Sequence, residues 1–165
     1  MILLKKILVA TDFSKPSERA LAYGRELART FGAQLVIAHV VGDMTALGYA
    51  DPEAIVYAPD LQREIEDTAR HQLEVALTAE DYDQLRAVAV LLRGNSPAAT
   101  LVEYAREADV DLMVIGTHGR GAVAHLLMGN VAERVVRTAP CPVLTVRDPE
   151  HDFLRPDALV AVADV

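Results

Sequence analysis

Short runs of consecutive apolar residues alternate along this chain with longer stretches whose apolar residues recur every three or four positions. The runs are Ile7-Leu-Val-Ala10, Leu35-Val-Ile-Ala-His-Val-Val41, Val88-Ala-Val-Leu-Leu92, Asp111-Leu-Met-Val-Ile115 and Val143-Leu-Thr-Val146. Each is short and apolar nearly throughout, the pattern of a parallel strand covered on both faces. Between the first two, Ala20, Tyr23, Leu27 and Phe31 mark one face of a helix. Ser14 is the expected cap of that helix, Pro16 is tolerated in its first turn, and Gly32 ends it. Leu61, Ile65, Ala69, Leu73 and Leu77 predict a second helix from about Asp60. Gly94-Asn-Ser-Pro97 predicts a turn into a third, with Ser96 as cap and Pro97 at the first helical position, and Leu101, Val102, Ala105 and Ala108 facing the core. A last helix is expected from about Val131 to Thr138, stopped by Pro140. Strands alternating with helices imply an α/β fold, a single-domain open parallel five-stranded sheet with right-handed crossovers and helices on both faces.

Two stretches break the alternation. Residues 42–59 form a long connection containing Gly48, Pro52 and Pro59, a length often tied to function. After Arg147 the chain turns polar, then apolar again at Pro156-Asp-Ala-Leu-Val-Ala-Val162. That segment, 148–165, is a C-terminal extension that can pack on a dimer surface, add an edge strand, or order in some states only.

The densest candidate chemistry lies between the fourth strand and the last helix, in Gly116-Thr-His-Gly119-Arg-Gly-Ala-Val-Ala-His-Leu-Leu-Met-Gly129-Asn130. Gly116 and Gly119 allow a tight turn and close approach of a ligand. Asn130 is expected to cap the helix, with Glu133 completing a capping-box-like start. The first amides of that helix would then face an anion such as a phosphate. The order is glycine, two residues, glycine, nine residues, glycine, then a small polar residue. With Glu133-Arg-Val-Val-Arg137, Ala139-Pro-Cys-Pro-Val-Leu-Thr-Val146 and the opening Lys6-Ile-Leu-Val-Ala-Thr-Asp12-Phe-Ser14, this resembles the nucleotide-binding signature of the universal stress protein family. The resemblance spans residues 4 to 147, taken as the domain 1–147.

The resemblance implies strand order 3-2-1-4-5, a Rossmann-like arrangement of the adenine nucleotide alpha hydrolase-like type. In such sheets the ligand lies beyond the strand carboxyl ends where the order reverses, here between strands one and four. It also implies ATP as ligand, with magnesium as its companion ion. The implied contacts are Ala10, Thr11 and Asp12 at the end of strand one, the Val40 backbone on the adenine edge, and Ile115, Gly116, His118, Gly119, Arg120, Gly129, Asn130 and Val131 around the phosphates and ribose. Asp12 also reads as a turn carboxylate satisfied by nearby amides, and His39 as a core histidine satisfied locally. Asn130 stands where ATP-binding members carry Ser or Thr; its amide donates to a phosphate with a different geometry. A dimeric interaction protein of the same family, without nucleotide, is therefore the alternative. The resemblance further implies a homodimer paired through the apolar edge strand Val143–Arg147.

Composition removes other classes. The chain has 165 residues with 16 basic against 24 acidic ones, net −8, which argues against a general electrostatic grip on nucleic acid or an acidic membrane. Cys141 is the one cysteine, so no intramolecular disulfide or cysteine metal cluster forms, and its expected role is a small buried apolar one. The start Met1-Ile-Leu-Leu-Lys5 has no signal-peptide pattern, so a cytoplasmic stress-response protein is expected. No GxxxxGK[ST] occurs, and the glycines follow strand four rather than strand one, against a P-loop ATPase and a dinucleotide dehydrogenase. Thr11-Asp-Phe-Ser14 lacks the glycine-rich loop of an ATP pyrophosphatase or adenylyl transferase. Strand three ends Leu92-Arg93, without the aspartate of a receiver domain. No general base or arginine finger stands out, so little or no hydrolysis is expected.

Overall fold

The computed structural model describes residues 2–44, 58–117 and 129–147. The elements run β1 (Lys6–Ala10), α1 (Lys15–Phe31), β2 (Gln34–Val41), α2 (Ala58–Ala76), α3 (Ala79–Leu85), β3 (Val88–Arg93), α4 (Pro97–Glu107), β4 (Leu112–Gly116), α5 (Asn130–Thr138) and β5 (Val143–Val146). The five strands form one sheet in the order β3-β2-β1-β4-β5. Every pairing is parallel, with Ala10 level with Ala38 on β2 and with Ile115 on β4. The strand order and the Rossmann-like class are those the resemblance implied. Among the described residues no helix is long and apolar enough to cross a membrane.

Alternating strand residues feed two cores. Ile7, Val9, Leu35, Ile37, Val114 and Val146 face one side, packed by Ala20, Leu21 and Ala28 of α1, Leu73 of α2 and Leu85 of α3. Leu8, Ala10, Val36, Ala38, Met113 and Ile115 face the other, under Leu101 and Val102 of α4 and Ala132 and Val135 of α5. Period-two burial of this kind removes the apolar stripe of each helix from water and supplies the main driving force for the fold. Cys141 joins the second core from its edge, as expected. Burial pushes its thiol up, and the Asp111 carboxylate adds to the effect against a Met113 backbone hydrogen bond, so the reactive thiolate is disfavoured.

The predicted face of α1 shifts by a few residues. Its buried positions are Ser17, Ala20, Leu21, Gly24 and Ala28, while Phe31 at the end is exposed. Small residues let α1 lie close on β1. Helix α3 was not expected: its tract is mostly polar, but Thr78 and Asp81 form a reciprocal capping box, and Arg25 grips the buried Asp81 carboxylate at 2.8–3.0 Å. The leucine ladder of α2 holds only in its second half. Ala69, Leu73 and, just past its end, Leu77 are buried, but Leu61 is exposed, and Gln62 and Glu66 take the inward positions above them.

That polar pair is satisfied. Glu66 Oε1 accepts from Gln62 Nε2 at 2.8 Å and from Arg93 Nε at 3.0 Å, and Oε2 accepts from Arg70 at 2.9 Å. Gln62 Oε1 in turn accepts from the Met44 N–H at 2.8 Å, and Asn95 Oδ1 accepts from the Asp43 N–H at 2.9 Å. The chain leaving β2 is thus anchored on both sides. Hydrogen bonds from Gln62, then from Arg93 and Arg70, hold the Glu66 carboxyl down from its ordinary 4.5 to about 2 against burial. A depressed carboxyl contributes stability that is full above its unfolded value and is lost as pH falls through its folded value. Stability at Glu66 is therefore expected to fall between pH 4.5 and about 2. Glu66→Gln should flatten that part of a urea-midpoint profile against pH; an acid limb equal to wild type would show that other carboxyls carry it.

Candidate functional site

Strand β1 ends where its neighbours diverge. The Thr11 N–H donates to the Ala38 carbonyl at 2.9 Å, and the chain then leaves the sheet. Asp12 turns it toward α1: its Oδ1 accepts from the Ser14 N–H at 3.1 Å and from the Ser14 hydroxyl. The bland reading of Asp12 as a turn carboxylate is thus realised at that oxygen. Ser14 stands at the N-cap of α1 without a cap hydrogen bond to its side chain, and its hydroxyl donates to Asp12. Ser96 likewise occupies the N-cap of α4 without a side-chain cap bond.

The β4 side of the mouth is stitched by Thr117, which is 3% exposed. Its N–H donates to the Val146 carbonyl at 2.7 Å, and its carbonyl accepts from the Gly129 N–H at 2.6 Å. The second bond fixes the start of α5 against the end of β4. A correction follows for the cap. Gly129, not Asn130, is the N-cap residue, and Asn130 is the first residue of α5. The first intrahelical bond runs from the Glu133 N–H to the Gly129 carbonyl at 3.0 Å, so Glu133 sits one position too far along for the expected capping box and pairs with Arg137 instead. The amides preceding that bond are those of Asn130, Val131 and Ala132, one residue earlier than predicted. The side chain of Asn130 is exposed and not committed to capping.

The register sets these pieces side by side. Ala10 pairs Ile115, so Gly116 lies level with Thr11, one step past the last β1–β4 pair. Gly116 also has a packing role: a Cβ there would meet Pro16 backbone and side-chain atoms at 3.0 Å, where α1 starts against the end of β4. The structure therefore gathers Ala10, Thr11, Asp12, Ile115, Gly116, Gly129, Asn130 and Val131 around one edge of the sheet, with Val40 at the end of β2 beside β1. His118, Gly119 and Arg120 lie outside the described residues. A cavity of about 480 Å³ on the opposite face, between α1 and α2, takes only Thr11 from this set.

Four residues of the mouth were not singled out from sequence for roles in it. Thr117 carried no signal beyond its place after Gly116. Ser17 is 3% exposed and donates to the Ser14 carbonyl at 2.8 Å. Phe13 holds a left-handed backbone, φ 61°, which costs a non-glycine residue on the order of 1 kcal/mol or more. His39 is satisfied locally, as expected, and its partner lies in the mouth: Nδ1 is 2.7 Å from the Thr11 carbonyl. Among the described residues no group of histidines, cysteines and carboxylates could hold a metal ion. What the arrangement offers is a row of helix amides toward an anion and strand-end backbone toward a planar group.

Comparisons with known proteins agree with this geometry. A Thermus aquaticus universal stress protein is 35% identical over 146 residues, covering 88% of this chain and 100% of that one. The crystal structure of a Burkholderia pseudomallei protein from the universal stress protein family aligns with TM-score 0.66 at 30% identity, over 87% of this chain and 96% of that one. A universal stress protein from Archaeoglobus fulgidus, solved in complex with dAMP, aligns with TM-score 0.56 at 26% identity, over 88% and 99%. The model of the universal stress protein family matches residues 4–147, and with sheet order, mouth and relatives in accord, the chain belongs to that family.

Proposed function

We propose that this protein binds ATP, with magnesium as companion ion, and acts as a stress-response signalling module with little or no hydrolysis. The observation that carries the reading is the Thr117 carbonyl to Gly129 N–H bond, which sets the first amides of α5 beside the strand-one turn at the reversal of strand order. Three peptide N–H groups of Asn130, Val131 and Ala132 and the positive end of the helix favour a phosphate. In this reading the Val40 backbone meets the adenine edge and the Thr11–Asp12 turn the adenosine, with His118, Gly119 and Arg120 assigned to the ligand by their place in the sequence. The dAMP held by the Archaeoglobus fulgidus relative supports an adenine nucleotide as the ligand class.

The same reading includes a homodimer. Strand β5 is at the sheet edge, with Val143, Leu144 and Thr145 only partly covered in one subunit. An apolar edge needs protection, which pairing with a second copy supplies. Light scattering should give the mass of two chains; a monomer would remove the dimer.

The ligand is tested on protein purified without added nucleotide. After denaturation, the released small molecules are separated by ion exchange, and the emptied chain is offered labelled ATP on a filter. Adenine nucleotide in the supernatant or ATP retained on the filter is expected. Neither would move the function to the nucleotide-free interaction protein, which the presence of Asn130 in place of a hydroxyl residue favours.

A further inference from the structure

We propose that His39 is a positioning residue for this mouth: its ring takes the Thr11 carbonyl out of the β1–β2 ladder and holds the Thr11–Ser14 turn open beside the Val40 backbone. The inference rests on the adenine reading above. In a parallel ladder, strand alternation turns the backbone of Ala38 and Val40 toward β1 and that of His39 toward β3. The Ala38 carbonyl accepts from the Thr11 N–H at 2.9 Å. The next bond of a continuing ladder would run from the Val40 N–H to the Thr11 carbonyl. His39 Nδ1 meets that carbonyl at 2.7 Å instead. A carbonyl only accepts, so Nδ1 is the donor and carries a proton. The polar edge of Val40 is then directed at the mouth rather than closing the sheet.

The ring is held in turn. Phe13 packs on it with centroids 4.5 Å apart and planes at 42°. Phe13 also carries the left-handed backbone, and strain of that kind persists only where its surroundings over-determine it, commonly at ligand sites. A one-way chain of hydrogen bonds completes the turn. The Phe13 N–H donates to Thr11 Oγ1 at 3.0 Å, Thr11 Oγ1 to Ser17 Oγ at 3.1 Å, and Ser17 Oγ to the Ser14 carbonyl at 2.8 Å. Each hydroxyl donates once, so the Thr11 side chain is committed to the turn while His39 serves its carbonyl.

Two variants separate the hydrogen bond from the packing. His39→Phe keeps a ring against Phe13 and removes the donor. His39→Asn removes the ring but keeps an amide N–H near the place of Nδ1. Relative to wild type, His39→Phe should weaken ATP binding about tenfold and lower the preference for ATP over GTP, with the thermal midpoint little changed. His39→Asn should recover most of that preference. Imidazole nitrogen shifts of the wild-type protein should report the Nδ1–H tautomer. An Nε2–H tautomer, an unchanged ATP preference in His39→Phe, or an Asn variant no better than Phe would each overturn the positioning role. Wild-type protein that binds no adenine nucleotide overturns the functional reading first and this inference with it, whereas wild-type binding with unaltered variants overturns the inference alone.

Discussion

On the proposed reading, Gly129→Val is expected to lower ATP affinity at least tenfold, about 1.4 kcal/mol of binding free energy, and to leave the fold in place. The backbone of Gly129 has φ −71° and ψ 153°, extended values open to any residue, so a β-branched side chain adds no backbone strain. Its N–H donates to the Thr117 carbonyl, a bond that valine retains. The added methyl groups would sit at the N-cap of α5, next to the amides of Asn130, Val131 and Ala132, and are expected to crowd a phosphate there. An anion kept off those amides loses both its hydrogen bonds and the helix field. Calorimetric titration beside a thermal melt checks this. Wild-type affinity in a folded Gly129→Val chain would remove the start of α5 from the ligand site.

Gly24→Val is expected to cost about 3 kcal/mol of stability, the upper part of the range for overpacking a core. A Cβ at Gly24 would lie 2.3 Å from Val9 Cγ2 and 3.5 Å from Leu35 Cδ1, and both neighbours are fully buried. Replacing glycine inside a helix normally gains up to about 1 kcal/mol, so the steric term has to overcome a favourable one. It does so because Val9 has no free volume to move into: its face is filled by Ile7, Leu35 and Ile37. The alternative relief is for α1 to lift away, which would also carry Pro16 from Gly116 and disturb the mouth. A urea midpoint shifted well below wild type is the expected measurement. A variant as stable as wild type would mean that α1 is not seated on β1 as closely as this.

The same two glycines illustrate what was legible in the chain. Apolar runs locate all five strands within a residue or two, because a doubly covered parallel strand has few polar positions to blur it. The helix faces are less legible. On α1 the contact depends on the smallness of Gly24 and Ala28, which periodicity of large residues does not reveal. On α2 the four-residue ladder continues past the point where the interior turns polar at Gln62 and Glu66, since a satisfied buried carboxylate looks like a surface residue until Arg93 and Arg70 are placed beside it. Helix α3 was signalled by Thr78 and Asp81, a capping pair three residues apart, but little apolar patterning followed it.

The strand ends and the glycine-rich signature point to one edge of the sheet, where the structure brings Thr11, Gly116 and Gly129 together. The details that missed are those decided by a single hydrogen bond. Asn is a favoured cap, yet Gly129 takes that place once its N–H is fixed to Thr117, and Asn130 moves into the helix. His39 sits in an apolar strand with no sequence pattern linking it to Thr11, twenty-eight residues earlier, so its bond to that carbonyl emerges only from the register of β1 on β2.

The decisive measurement is a calorimetric titration of the nucleotide-stripped chain with ATP in the presence of magnesium. Saturable heat with micromolar affinity, reduced in Gly129→Val, is the result expected of an ATP-binding universal stress protein. A flat titration, with the chain folded, would contradict nucleotide binding.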